Sequence, residues 1–87
     1  MKKIDTSYAL ELMDSIIEDN GVPRNIRRVV EEAKNKVKED NKELGVNVSA
    51  AIYKLDDISN DINMPSHTRT DIWTLISELE AIKEKVK

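Results

Sequence analysis

The chain has no cysteine and no phenylalanine, only two prolines and two glycines, and three aromatic side chains, Tyr8, Tyr53 and Trp73. Without cysteine there is no disulfide, no thiolate zinc site and no cysteine nucleophile, so packing and polar contacts must hold the fold. The shortage of aromatics removes the platform on which unpaired bases stack and makes the core aliphatic. No apolar run approaches the ~20 residues of a membrane span. The start, Met1-Lys2-Lys3-Ile4-Asp5, runs into a polar helix start rather than a secretory signal, which makes the cytoplasm the expected location. Neither sign of charge dominates. Fourteen basic against 17 acidic residues leave −3, so the chain as a whole repels a phosphate backbone and any nucleic-acid contact has to be local.

What is present is a folded composition, 39% hydrophobic and 36% charged over 87 residues. That predicts one small soluble domain over 1–87, with a single modest core. Within it the two halves echo each other at a spacing of 42: Asp19, Pro23 and Arg27 recur as Asp61, Pro65 and Arg69. The apolar positions follow the same register, with Ala9, Met13, Ile16, Val22, Val30 and Val37 matched by Ala51, Leu55, Ile58, Met64, Ile72 and Leu79. A repeat of this length is a paired-helix unit.

Each half reads as helix, proline turn, helix. The first helix is expected from Asp5 or Thr6, both N-cap types, to about Asn20, with a stripe of Ala9, Leu12, Met13, Ile16 and Ile17 that Tyr8 and Leu10 widen. Pro23 opens a second helix reaching roughly Asn41, whose narrower stripe is Val22, Ile26, Val30, Ala33 and Val37. Lys42 to Val46 reads as the link, with Gly45 supplying a left-handed turn and Asn47 or Ser49 capping a third helix that ends near Asp61. The third stripe is Ala51, Ile52, Leu55, Ile58 and Ile62. Pro65 opens the fourth helix, with Ile72, Leu75, Ile76, Leu79, Ile82 and Val86 inward and Trp73 at the core edge. The predicted fold is an all-α, up-and-down antiparallel four-helix bundle of two similar hairpins, about 5–41 and 47–86, closing as a monomer or pairing as a homodimer.

In such a bundle both proline turns lie at one end, bringing Asp19, Arg24, Asn25, Arg27 and Arg28 near Asn60, Asp61, Asn63, His67, Thr68 and Arg69. Arginines in the first turns of a helix oppose its macrodipole and need compensation. One reading is an anion site of arginine forks and free helix-start N–H groups. The other is internal pairing of Arg27 with Asp19 and of Arg69 with Asp61, which the repeat favours because it preserves both partners. Arg24 and Arg28 have no counterpart in the second half and are the better candidates for an external contact. His67, the sole histidine, invites a catalytic role, yet no nucleophile-type turn accompanies it, and a capping role in a first turn fits better. Asp56, Asp57 and Asp61 lack any calcium-loop or Glu-x-x-His context, so solvated charge or arginine pairing accounts for them without a metal. No catalytic residue, cofactor or metal is predicted.

The segments Val22-Pro23-Arg24-Asn25-Ile26-Arg27-Arg28, Asp57-Ile58-Ser59-Asn60-Asp61, Met64-Pro65, His67-Thr68-Arg69-Thr70 and Ile72-Trp73 resemble the archaeal Uncharacterised Protein Family 0147. These are short helical proteins of unknown function. The resemblance covers nearly the whole chain, departs between Lys42 and Val48, and implies a four-helix fold, a cytoplasmic protein and an archaeal source. It brings no function with it. The residues themselves favour a non-catalytic interaction module that docks on a larger assembly through the arginine-containing end or a flank near Trp73. An RNA or ribonucleoprotein accessory touching phosphates through Arg24, Arg27, Arg28 and Arg69 is the alternative. A small-molecule or phosphoester enzyme using His67 and the arginines stands third.

Overall fold

The computed structural model describes residues 4–38 and 43–86. Its helices are α1 (Ser7–Ile17), α2 (Arg24–Lys38), α3 (Leu44–Ile58) and α4 (Ser66–Val86). Each packs on its neighbours in the chain, α4 closes the ring on α1, and the two diagonal pairs stay apart. Short connections turn each helix back on the one before it, and both proline turns meet at one end through Asp19 with His67 and Asn25 with Asp61. Neighbours are tied by Lys34 with Asp14 and by Lys54, 3.5 Å from Glu32. The chain is therefore the expected up-and-down bundle, 41 Å long and 19 by 17 Å across. Its most extensive helix pairing is α2 on α3, between the two hairpins rather than within either.

Helical periodicity places the core. Ala9, Met13 and Ile16 of α1 meet all five positions of the second stripe, Val22, Ile26, Val30, Ala33 and Val37, together with Val48, Ala51, Leu55 and Ile58 of α3. From the fourth helix Ile72, Leu75, Leu79 and Ile82 are fully buried. Leu12, Ile17, Ile52 and Ile76 are half-buried against this cluster. At ~25 cal/mol per Å² of apolar area, such aliphatic burial is the main stabilising term of a domain with no covalent staple.

Several boundaries differ from those expected. The first helix is shorter than Asp5–Asn20: Thr6 is its N-cap without a side-chain bond, while the Asp5 carboxylate takes the Ser7 N–H at 2.9 Å. Tyr8 is 52% exposed and does not widen the stripe. Pro23 and Pro65 stand one residue before their helices, and their carbonyls accept the N–H of Arg27 and Arg69 at 3.1 and 3.0 Å. Asn41, the expected end of the second helix, lies outside the described residues.

The third helix starts at Leu44, with Glu43 as N-cap, so Gly45 makes no left-handed turn and neither Asn47 nor Ser49 is a cap. Gly45 instead permits close approach, because a Cβ there would meet Val86 Cγ1 at 3.2 Å. Asn47 is buried within the helix. At the other end α3 stops at Ile58 rather than Asp61, and Ile62, in the turn beyond it, is 90% exposed and no part of the stripe.

Candidate functional site

The proline turns are near-duplicates at the level of single hydrogen bonds. Asp19 Oδ1 accepts the Gly21 N–H and Asp61 Oδ1 the Asn63 N–H, each at 2.8 Å. The Val22 and Met64 N–H groups bond back to the Asp19 and Asp61 carbonyls at 3.1 and 3.2 Å. An aspartate two residues before a free N–H closes a tight turn with its side chain, and proline four residues on then opens the next helix with no N–H to satisfy. That is the physical content of the repeated Asp-x-x-x-Pro.

The two turns also hold each other crosswise. His67 Nε2 lies 3.0 Å from Asp19 Oδ2, joining the start of α4 to the first turn. Asn25 Nδ2 donates to Asp61 Oδ2 at 3.3 Å, joining the start of α2 to the second turn. Asn25 and His67 are equivalent repeat positions, 42 apart, so each half lends one side chain to the other half's aspartate. Sequence reasoning placed all four residues at this end but missed the exchange, whose signal was a polar residue two after each proline. The Asp19 carboxyl is held below the ordinary carboxylate range, first by the His67 ring and then by the Gly21 N–H.

Arg27 and Arg69 do stabilise their own turns, though not as carboxylate pairs. Arg27 Nε donates to the Val22 carbonyl at 3.1 Å, and Arg69 Nη2 to the Asp61 carbonyl at 2.9 Å. The guanidinium gives the Val22 carbonyl a donor and adds a second donor to the Asp61 carbonyl, which already accepts the Met64 N–H. Arg24 and Arg28 are exposed and have no ion-pair partner among the described residues. They line a cleft of about 310 Å³ with Ile17, Arg27 and Glu31. Thr68, expected among the polar residues of this end, faces the interior: it is 1% exposed and its hydroxyl has no partner among the described residues. Among the described residues no three metal-ligating side chains converge.

Two further surface features stand away from the turns. All three aromatics point outward, Tyr8 at 52%, Tyr53 at 79% and Trp73 at 60% exposure, so Trp73 is a surface residue rather than a core-edge one. Between α3 and α4 runs a groove of about 600 Å³. Ile52 and Ile76 contribute its half-buried apolar surface, and Tyr53, Asp56, Asp57 and Glu80 also line it. Asp56 and Asp57 thus belong to this groove, while Asp61 belongs to the turn.

A family model described as an uncharacterised protein family, UPF0147, matches residues 2–82. The chain belongs to UPF0147. It is 53% identical over 72 residues to the UPF0147 protein MJ1419 of Methanocaldococcus jannaschii, covering 83% of this chain and 77% of that one. It is 38% identical to the UPF0147 protein Ta0600 of Thermoplasma acidophilum over 97% of this chain and 99% of the relative. The crystal structure of an uncharacterised UPF0147 protein from Thermoplasma acidophilum superposes with a TM-score of 0.84 at 37% identity, covering 87% of this chain and 89% of that one. That of MMP1188, a protein of unknown function, gives 0.78 at 46% identity over 92% and 96%. The archaeal relationship and the all-α fold expected from the sequence are thus established. No helix among the described residues is long and apolar enough to cross a membrane.

Proposed function

We propose that this UPF0147 protein is a non-catalytic interaction module of the archaeal cytoplasm that docks on a larger assembly. The outward placement of every aromatic residue carries this reading. A chain with three aromatics and an aliphatic core has left its largest contact-forming side chains in water, and Trp and Tyr are the residues that most often anchor protein interfaces. The polar end supports it from the other side: His67 is engaged with Asp19 and lines neither the arginine cleft nor the α3/α4 groove. Its arginines Arg27 and Arg69 serve the turns. The test is affinity capture of the tagged protein from lysate of its source, with and without nuclease, beside an Arg24→Glu/Arg28→Glu variant. A defined protein partner that survives nuclease is expected. Loss of all partners with nuclease and with the variant refutes it.

Contact with RNA phosphates is the second reading, favoured by exposed Arg24 and Arg28, which have no ion-pair partner among the described residues. Four phosphate contacts including Arg27 and Arg69 would give a log–log salt slope of roughly −3 on single strands. Affinity that stays flat from low to moderate salt removes it.

A further inference from the structure

We infer that the α3/α4 groove is the docking site, and that its occupant is a short amphipathic segment of a partner protein, basic at one end and apolar at the other. This rests on the interaction-module reading and names its site and partner chemistry. The groove continues past Ser49 and Lys83 into a second stretch of about 430 Å³ lined by Gly45, Val46 and Val86. From Gly45 to Asp57 along α3 the track spans about 18 Å, three turns of helix. Its chemistry is graded along that length. The Gly45 end is apolar, with Val46 61% exposed, and Gly45 lies where any larger residue would press on Val86. The far end carries Asp56 and Asp57, while Glu80 lies midway, about one turn of α4 from Lys83, the cation at the junction of the two stretches.

Charge complementarity selects the occupant. Asp56, Asp57 and Glu80 have no ion-pair partner among the described residues, a state they share with Glu11, Glu18 and Glu78, and all three line one groove beside Ile52 and Ile76. Three carboxylates without ion-pair partners among the described residues, beside an apolar strip, repel a polyanion and attract Arg or Lys, and Tyr53, 79% exposed in the groove lining, is an aromatic of the kind guanidinium groups stack on. RNA is excluded from this face by the same charges. Half-buried Ile52 and Ile76 supply the apolar contact that a purely ionic patch lacks. The gradient sets the direction of docking: basic residues at the Asp56 end, apolar residues at the Val46 end.

The test is backbone-amide shift mapping of the full chain with two synthetic 12-residue amphipathic peptides. Both carry leucine at the same positions, and the polar positions are arginine in one and glutamate in the other. The arginine peptide should bind at least tenfold more tightly and perturb Ile52, Tyr53, Asp56, Ile76 and Glu80. Asp56→Asn/Glu80→Gln, two exposed substitutions that leave the melting temperature unchanged, should remove most of that preference. Equal binding of both peptides, or perturbation centred on Arg24 and Arg28 or on Trp73, overturns the inference. A photo-crosslinking residue placed in source lysate at Tyr53, at Trp73 or at Arg28 separates the two levels of failure. Protein adducts from Tyr53 onto segments of net positive charge support the groove. Adducts to protein from Trp73 or Arg28 alone refute the groove and leave the module. Protein adducts from none of the three refute both.

Discussion

Thr68→Val should make this protein more stable. Thr68 is 1% exposed, and its hydroxyl has no hydrogen-bond partner among the described residues. Its equivalent in the first hairpin is Ile26, fully buried, so the surrounding space is one the repeat fills with an aliphatic side chain. Thr70 and Thr74, on the outside of the same helix, return their hydroxyls to the carbonyls four residues back at 3.3 and 3.0 Å; Thr68 does not. An unsatisfied buried hydroxyl costs ~1–3 kcal/mol in protein mutational data. Valine keeps the shape and the β-branch and has nearly the same helix propensity, which leaves no cavity or backbone term to offset the gain. The expected change is about +1 kcal/mol, a rise in Tm of ~4–8 °C for a domain of this size. Thr68→Ser retains the hydroxyl, removes a methyl, and should lose ~1 kcal/mol. Thermal and urea denaturation of the three proteins decide it. A valine variant that melts at or below the parent refutes the reasoning, because the hydroxyl must then be satisfied.

The arginines should divide by stability. Arg27→Ala strands the Val22 carbonyl and should cost about 1 kcal/mol, Arg69→Ala, whose Asp61 carbonyl keeps the Met64 N–H, should cost less, and Arg24→Ala and Arg28→Ala stay within ~0.5 kcal/mol in urea titrations. Because the folded Asp19 carboxyl titrates below its ordinary value, its contribution is complete above pH ~4 and is lost as pH falls through the lowered value. Asp19→Asn should therefore flatten the decline in Tm between pH 5 and 3; an unchanged acid limb would count against the His67 contact. Leu75→Ala, at a fully buried site, should cost ~3 kcal/mol by calorimetry. Trp73, the sole tryptophan and 60% exposed, should be quenched by iodide nearly as readily in the folded as in the urea-unfolded protein.

Some of this molecule is legible from residues alone. A stripe such as Val22, Ile26, Val30, Ala33 and Val37 has one physical solution, an inward helix face, and all five residues are buried. The 42-residue echo likewise announced two hairpins whose proline turns share an end, because short connections force chain-neighbouring helices to run antiparallel. What local sequence did not contain was which competing partner each polar group would take. Arg27 had Asp19 and the Val22 carbonyl within its reach along the chain, and only the folded turn selected the carbonyl. Gly45 carries a turn propensity and Asn47 a cap propensity, yet both lie within α3, Gly45 where it packs on Val86 at the end of α4 and Asn47 as a buried residue. The crosswise exchange of Asn25 and His67 between the two aspartates, the outward side of Trp73, and the acidic groove between α3 and α4 each depend on two segments distant in the chain. Periodicity along one helix specifies which face is apolar. Only the assembled bundle decides what each remaining face meets.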